Sequence, residues 1–522
     1  MGSFISKHLT LFKSKLLYPF LKGLRLLILI FFISSSVECW GFATFETFTK
    51  AIYIAMHHAV VAYVVVLFYG ICPIKLQRLY MVILFALLFM NFIIDLVCVY
   101  SFHFTFDQEV PAILLGTNSN EASEFISVFL PPRFWILALC LIISWLILGY
   151  FFSKKEFSLP PLLSIAGLSI IAIALSLTFI LDSKNWGNVS LTKIYAFSKA
   201  SVPIHLKDYQ KFPVLVKRKE STPDYIVIVI GESFSKFHSS LYSYARETNP
   251  RLGQMKEKGE LLLFSNVTTP ALNTIPVFKT VMSNYKLEYG NDIKWYEAIT
   301  LPMVMRSADY YTCWFSNQSQ KGYHDNVVAE YASLCDTSYF NGNRFAAMGK
   351  SDLDGDLILP IKSFVDSTKI NKQFHVIHLM GSHPDFSRRY PDNFKHFHPS
   401  DYNDYLESQR MNLANYDNSV LYNDYVVSQI MNIYKEKEAI VFYFSDHGMD
   451  VYDSRDDYVG HSRDNDNESA RVGYNIPFMI YMTADFKDQF PNMSAKVDSM
   501  SSQKFCIDMM LPLIMDVAGV SF

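Results

Sequence analysis

Cysteine is scarce in this chain: there are seven in 522 residues, and no two form a C-x-x-C pair. That spacing excludes a zinc ribbon. Net charge is nearly absent at -3, which argues against a nucleic-acid binder. No internal repeat or low-complexity tract stands out, so nothing indicates a repeat architecture. Apolar residues are abundant instead, at 51% of the chain, with a mean hydropathy of +0.15. The excess is concentrated in residues 1–182, whereas residues 205–522 have the Asp-, Asn-, Ser- and Tyr-rich composition of a globular domain. The boundary is a change of solvent.

A helix that crosses a bilayer needs about 20 mostly apolar residues. Five stretches have that character: Leu24–Phe45, Ala51–Cys72, Leu79–Phe102, Phe134–Phe152 and Leu162–Leu181. Lys7, Lys13, Lys15, Lys22 and Arg25 precede the first; Lys75 and Arg78 follow the second, and Lys154 and Lys155 the fourth. Basic residues mark cytoplasmic loops. The loop from His103 to Arg133 carries Asp107, Glu109, Glu121 and Glu124 against one Arg, and is expected outside. Five spans then leave the N-terminus cytoplasmic and everything after Asp182 outside. Glu38, His57, His58 and Asp95 fall inside these stretches, where ionisable groups are costly and invite a functional reading. After Asn118, a segment with Phe125, Ile126, Val128, Phe129 and Leu130 reads either as a surface-lying amphipathic helix or as a packed loop.

The remainder divides into a connector, residues 183–222, with a short helix expected over Leu191–Ser201, and a soluble domain, residues 223–522. In the soluble domain apolar runs alternate with helical patterns: 225–230, 261–267, 310–317, 374–381, 440–446 and 478–482. This alternation predicts an α/β sandwich around a mostly parallel sheet. If the domain lies outside the cytoplasm, Cys313 and Cys335 admit two readings: a disulfide or two buried thiols.

Polar residues collect at the ends of the runs. Tyr225–Ile230 is a buried strand by composition, and Gly231-Glu232 follows where open α/β sheets place ligands. Asn266–Thr274 runs from a strand through a polar turn into a helix, so the Thr274 hydroxyl is either an N-cap or a nucleophile beside a phosphate-binding helix N-terminus. His378–His383 and Phe444-Ser445-Asp446-His447-Gly448 each leave another strand, and His461 follows. Carboxylates and imidazoles of this mix suit zinc, with manganese the weaker candidate.

With these stretches in view, the chain resembles the alkaline phosphatase/sulfatase superfamily, and more narrowly the membrane-bound phosphoethanolamine transferases that decorate lipopolysaccharide. The resemblance rests on VIGESFSKFHSSLYSYARETNPRL from 229, the Thr274 turn, LMGSHPDFSRRYP from 379, YDNSVLYNDYVVSQI from 416, FSDHGMD from 444 and YNIPFMIY from 474. It implies an alkaline-phosphatase-like catalytic domain in the periplasm, behind five helices in a bacterial inner membrane. It assigns Glu232, Thr274, Asp446 and His447 to one zinc ion, with Thr274 also the nucleophile. His383 and His461 would contact the substrate phosphate or a second zinc, and either would serve as general acid. Asn118 and Glu121 would lie on the lipid-facing side of the site. The implied donor is phosphatidylethanolamine and the implied acceptor a lipopolysaccharide or other envelope glycan, with diacylglycerol released from a phospho-threonine intermediate.

Two features narrow the chemistry. Arylsulfatases carry a modifiable Cys or Ser in C/S-x-P-x-R, whereas this chain has Thr274 and Phe278 at those positions. The chain also lacks the several cysteines of the lipid A-modifying transferases known for polymyxin resistance, and resembles the branch acting on core sugars or other glycans. A phosphoglycerol transferase using phosphatidylglycerol, and a catalytically inactive scaffold of the same fold, are the alternatives.

Overall fold

The computed structural model describes residues 15–45, 48–102, 130–154, 159–181, 204–210, 216–219, 221–287, 293–318, 327–341, 353–454, 458–461 and 468–522, with single positions 106, 110, 126, 198 and 214. Asn118, Glu121 and the amphipathic segment after Asn118, apart from Ile126 and Leu130, lie outside the described residues. So does the expected helix over Leu191–Ser201, apart from Ser198. Among the described residues the chain forms two compact units, one up to residue 198 and one from residue 204.

Among its described residues the first unit contains five long helices: α1 (Leu24–Phe45), α2 (Phe48–Ile71), α3 (Ile74–Phe102), α4 (Pro132–Lys154) and α5 (Pro161–Leu181). Their interiors contain no proline. Pro132 and Pro161 occupy first helical positions, where the missing N–H costs no intrahelical bond. Among the described residues, three helices are long and apolar enough to cross a membrane: Leu24–Thr44, Phe48–Ile71 and Ile74–Tyr100. The other two apolar stretches, Pro132–Leu148 and Leu162–Ser176, are shorter. Five spans were expected; the apolar lengths here meet the requirement in three. The singled-out ionisable residues face inward. His58 Nε2 lies 2.6 Å from Glu38 Oε2 across α1 and α2, and Asn91 donates to Asp95 at 2.7 Å within α3.

The second unit is built on a seven-stranded sheet: β1 (Tyr225–Gly231), β2 (Leu261–Leu263), β3 (Tyr311–Ser316), β4 (Thr337–Phe340), β5 (Gln373–His378), β6 (Ala439–Ser445) and β7 (Phe478–Met482). The spatial order is β2-β7-β6-β1-β5-β3-β4. Strands β6, β1, β5, β3 and β4 run parallel, while β7 runs antiparallel to both β6 and β2. The sheet is therefore mixed, with a parallel majority. The apolar run at 261–267 splits: Leu261–Leu263 joins the main sheet, while Asn266–Thr268 pairs with Lys504–Cys506. Strand β4 has no counterpart among the expected runs, because an edge strand reading Thr-Ser-Tyr-Phe lacks the apolar signature of a buried one.

β1 shows why the sheet is central. Ile226, Ile228 and Ile230 enter one apolar layer, and Tyr225, Val227 and Val229 the other. The first layer includes Val277, Phe278 and Val281 of helix α6 (Thr274–Val281); the second includes Val426, Val427, Ile430 and Met431 of α7 (Glu407–Ile433). Period-2 alternation thus fills both faces of one strand. Cys313 and Cys335 are both free thiols, Cys313 in the second layer and Cys335 packed against the first.

Candidate active site

Strand register builds the site. β1 lies between β6 and β5, parallel to both, with Gly231 opposite Ser445 and Ile230 opposite His378. The chain therefore leaves three neighbouring strands at one level, and the next residues, Glu232 and Asp446, emerge side by side. The Asp446 amide donates to the Gly231 carbonyl at 3.0 Å and locks the two exits.

Glu232, Asp446 and His447 are buried, and one ligand atom from each lies within 4.8 Å of the others. His447 Nε2 is 3.3 Å from Glu232 Oε1 and 3.5 Å from Asp446 Oδ2. The other ring nitrogen, Nδ1, is 3.1 Å from the Gly448 carbonyl, the contact that leaves Nε2 as the available ligand atom. Asp446 Oδ1 accepts from the Ser233 and His447 amides at 3.2 and 2.7 Å, whereas its Oδ2 accepts no hydrogen bond among the described residues. Thr274 Oγ1, at the first residue of α6, donates to Glu232 Oε2 at 3.0 Å.

The electrostatics point to a missing positive charge. Burial pushes Asp446 up to about 8, helped by the Glu232 carboxylate. Burial would also raise Glu232, but the His447 imidazolium and then His383 outweigh it and hold that carboxyl below its usual range. Burial opposes charge on His447, yet Asp446 and Glu232 raise it to about 9. Two buried carboxylates with one imidazole, and a carboxylate oxygen left without a donor, are a donor set that fits a divalent cation such as zinc.

The two further histidines flank this cluster. The His461 ring meets His447 edge-on at a centroid distance of 4.7 Å. His383 lies in the loop after β5; its Nδ1 is 2.6 Å from the Pro384 carbonyl, and Arg389 donates to the His383 carbonyl at 2.8 Å. The structure thus brings Glu232, Thr274, Asp446 and His447 together, with His461 against His447 and His383 acting electrostatically on Glu232.

Several supporting residues were not singled out from the sequence. Gly381 has φ +53°, and a Cβ there would lie 2.5 Å from the Glu232 carbonyl oxygen and 2.7 Å from its amide nitrogen. Only glycine permits that approach. Asp354, buried, accepts from the Met380 and Gly381 amides and from Asn317, each at 2.8 Å, and so holds the same loop. Ser233 sits at φ +57° directly after Glu232. The glycine in Leu379-Met-Gly-Ser-His383, at a strand exit, was the available clue to Gly381; Asp354 had none.

Residues 224–520 match the sulfatase family. Over 457 residues the chain is 29% identical to phosphoethanolamine transferase CptA of Salmonella typhimurium strain LT2, covering 80% of this chain and 76% of that one. The zinc complex of the C-terminal periplasmic domain of EptC from Escherichia coli superposes with a TM-score of 0.52 at 26% identity, over 59% of this chain and 85% of that domain. The integral membrane lipooligosaccharide phosphoethanolamine transferase A of Neisseria meningitidis has the same fold, with a TM-score of 0.68 at 16% identity over 96% of both chains.

Proposed function

This chain belongs to the sulfatase family, and within it we propose that the protein is a zinc-dependent transferase. It moves phosphoethanolamine from phosphatidylethanolamine to a lipopolysaccharide or other envelope glycan acceptor. The observation that carries this reading is the Thr274 hydroxyl, held 3.0 Å from Glu232 beside the Glu232–Asp446–His447 cluster. The named relatives support the phosphoethanolamine group, and the zinc-complexed EptC domain supports the metal. Apolar helices in front of the catalytic unit suit a lipid donor. All five helices span the inner membrane in this reading, with the N-terminus cytoplasmic and residues 223–522 periplasmic.

Glu232, Asp446, His447 and Thr274 would hold the ion. Zinc bound there would supply a Lewis acid able to lower the hydroxyl pKa and offset charge on phosphoryl oxygens. Thr274, its hydroxyl proton already given up to solvent, attacks the donor phosphorus through the Oγ1 alkoxide, forming a phosphoethanolamine–Thr274 ester as the bond to the diacylglycerol oxygen breaks. His383 or His461 gives that oxygen its proton. The same group then takes the proton of the acceptor hydroxyl as it attacks the ester and frees Thr274. In this scheme the Thr274 and Ile275 amides, at the start of α6, would help to offset the developing charge. Asn118 and Glu121 contact the lipid-side portion of the donor in this scheme.

The test is Thr274→Ala in the full chain with labelled phosphatidylethanolamine, followed by mass spectrometry of the protein and the envelope glycolipids. Loss of transfer and of the Thr274 adduct is expected. Retained transfer, or an adduct trapped on a different residue, would overturn the reading. Labelled phosphatidylglycerol as the preferred donor would replace it with phosphoglycerol transfer.

A further inference from the structure

α7 carries the run Tyr416-Asp417-Asn418-Ser419, four polar or amphipathic residues in succession, and all four are buried. A helix normally sends such a run partly to solvent. Here three of these side chains each reach a different loop of the site.

The Tyr416 hydroxyl donates to the Ser233 carbonyl and accepts from the Ser235 amide, both at 2.7 Å. It thereby clamps the turn that begins at Glu232 and contains the left-handed Ser233. The Ser419 and Ser382 hydroxyls hydrogen-bond at 2.9 Å, and the Ser382 amide donates to the Glu232 carbonyl at 2.9 Å. Ser382 immediately precedes His383. Asp417 Oδ1 is 2.6 Å from His238 Nδ1, and His238 Nε2 is 3.6 Å from Asp453 Oδ2. Asp453 follows the two-residue strand Asp450–Val451, which pairs with Val459–Gly460, and His461 comes next. One turn of one helix therefore touches the loops that carry Glu232 and His383 and, through His238, reaches Asp453 in the segment that leads to His461.

We infer that Tyr416, Ser419 and, through His238, Asp417 are positioning residues that set the register of the metal ligand and the two flanking histidines. None of the three is itself among the metal-binding or reacting groups. Polar partners behind a metal ligand typically govern affinity by about 10- to 100-fold, and a small misplacement of a proton-transfer group lowers turnover by about tenfold or more. The inference rests on the functional reading above, and it assigns the Tyr416 and Ser419 contacts separate measurable consequences.

The experiment uses the full chain in detergent, with zinc affinity from chelator competition and turnover of a soluble phosphoethanolamine ester as a function of pH. Tyr416→Phe removes only the hydroxyl and keeps the ring that packs on Phe386 and His238. It should weaken zinc binding about 10- to 100-fold, with turnover restored by excess zinc. Ser419→Ala should leave zinc affinity unchanged, lower kcat about tenfold and alter a limb of the pH profile. Tyr434→Phe is the control: Tyr434 is equally buried, bonded to His375 at 2.7 Å, and should lower only the melting temperature. Zinc affinity unmoved in Tyr416→Phe, or Tyr416→Phe and Ser419→Ala shifting the same readout, would overturn the inference alone. Zinc binding by the unaltered protein without turnover would overturn the functional reading and leave the inference to be judged on affinity. No zinc binding by the unaltered protein would overturn both.

Discussion

In the helical unit large apolar side chains face outward and ionisable ones inward: Phe68, Val82 and Leu146 are 58%, 68% and 67% exposed, while Glu38 and His58 are at 1% and 0%. In the sheet-containing unit β1, β5 and β6 are buried along their whole length, and Glu232, Asp446 and His447 are buried where β1 and β6 end. The first pattern suits lipid around the helices, since apolar surface is normal there and a charge must hide in the bundle. The second suits water around a sandwich, with polar groups kept inside only where each has a partner or a task. The contrast separates two uses of a buried charge. Glu38 and His58 tie two helices together, whereas Glu232, Asp446 and His447 form an unbalanced group that asks for a cation.

That contrast can be broken experimentally, beginning where the effect is largest. Asp446→Asn should abolish zinc binding and reduce transfer by about a thousandfold or more, as expected when a member of a catalytic unit is removed. Metal content and turnover measured together check it, and near-normal turnover would erase the distinction between the two kinds of buried charge. Gly381→Ala comes next. A left-handed backbone and a 2.5 Å clash with the Glu232 carbonyl should cost about 2–4 kcal/mol, visible as a lower melting temperature and weaker zinc binding.

The helical pair should respond less strongly and only in stability. Glu38→Gln or His58→Leu should each cost about 1–3 kcal/mol, with the double change Glu38→Leu/His58→Leu milder than the sum, because a lone buried charge is the costly state. Turnover of a soluble ester should be unaltered. A selective loss of turnover would instead give the pair a part in the chemistry.

A pH dependence of stability is expected as well. Burial alone would lower the His238 pKa, but Asp417 and then Asp453 raise it to about 10. The unfolded value is about 6.5. A raised pKa means that the stabilisation is fully present below about pH 6.5 and is lost as pH climbs through about 10. Melting temperature should therefore fall between those values, and His238→Gln should flatten that fall. An unchanged slope in the variant would remove His238 from the account.

Composition and periodicity determined a good deal here. Long apolar runs without charge demand helices in lipid or a buried core, and they set residues 1–182 apart from the remainder by composition alone. Six residues in a row from Tyr225 to Ile230 suit a strand covered on both faces, and polar residues that follow such strands emerge at their carboxyl ends. Glu232, Asp446 and His447 were legible as candidates for that reason, whereas Thr274 stayed open between an N-cap and a nucleophile until the resemblance to the transferases chose the second. The tertiary structure decided what spacing does not encode. Strand order put β1 between β5 and β6, and register set Gly231 against Ser445, so that residues 214 apart in sequence became neighbours. The reversed β7 made the sheet mixed, because strand direction depends on how the chain crosses over and not on its local pattern. Tyr416-Asp417-Asn418-Ser419 reads locally as a solvated helix face. Only packing against the site loops turns it inward, because their backbone groups and hydroxyls and the buried His238 supply partners that water would otherwise provide.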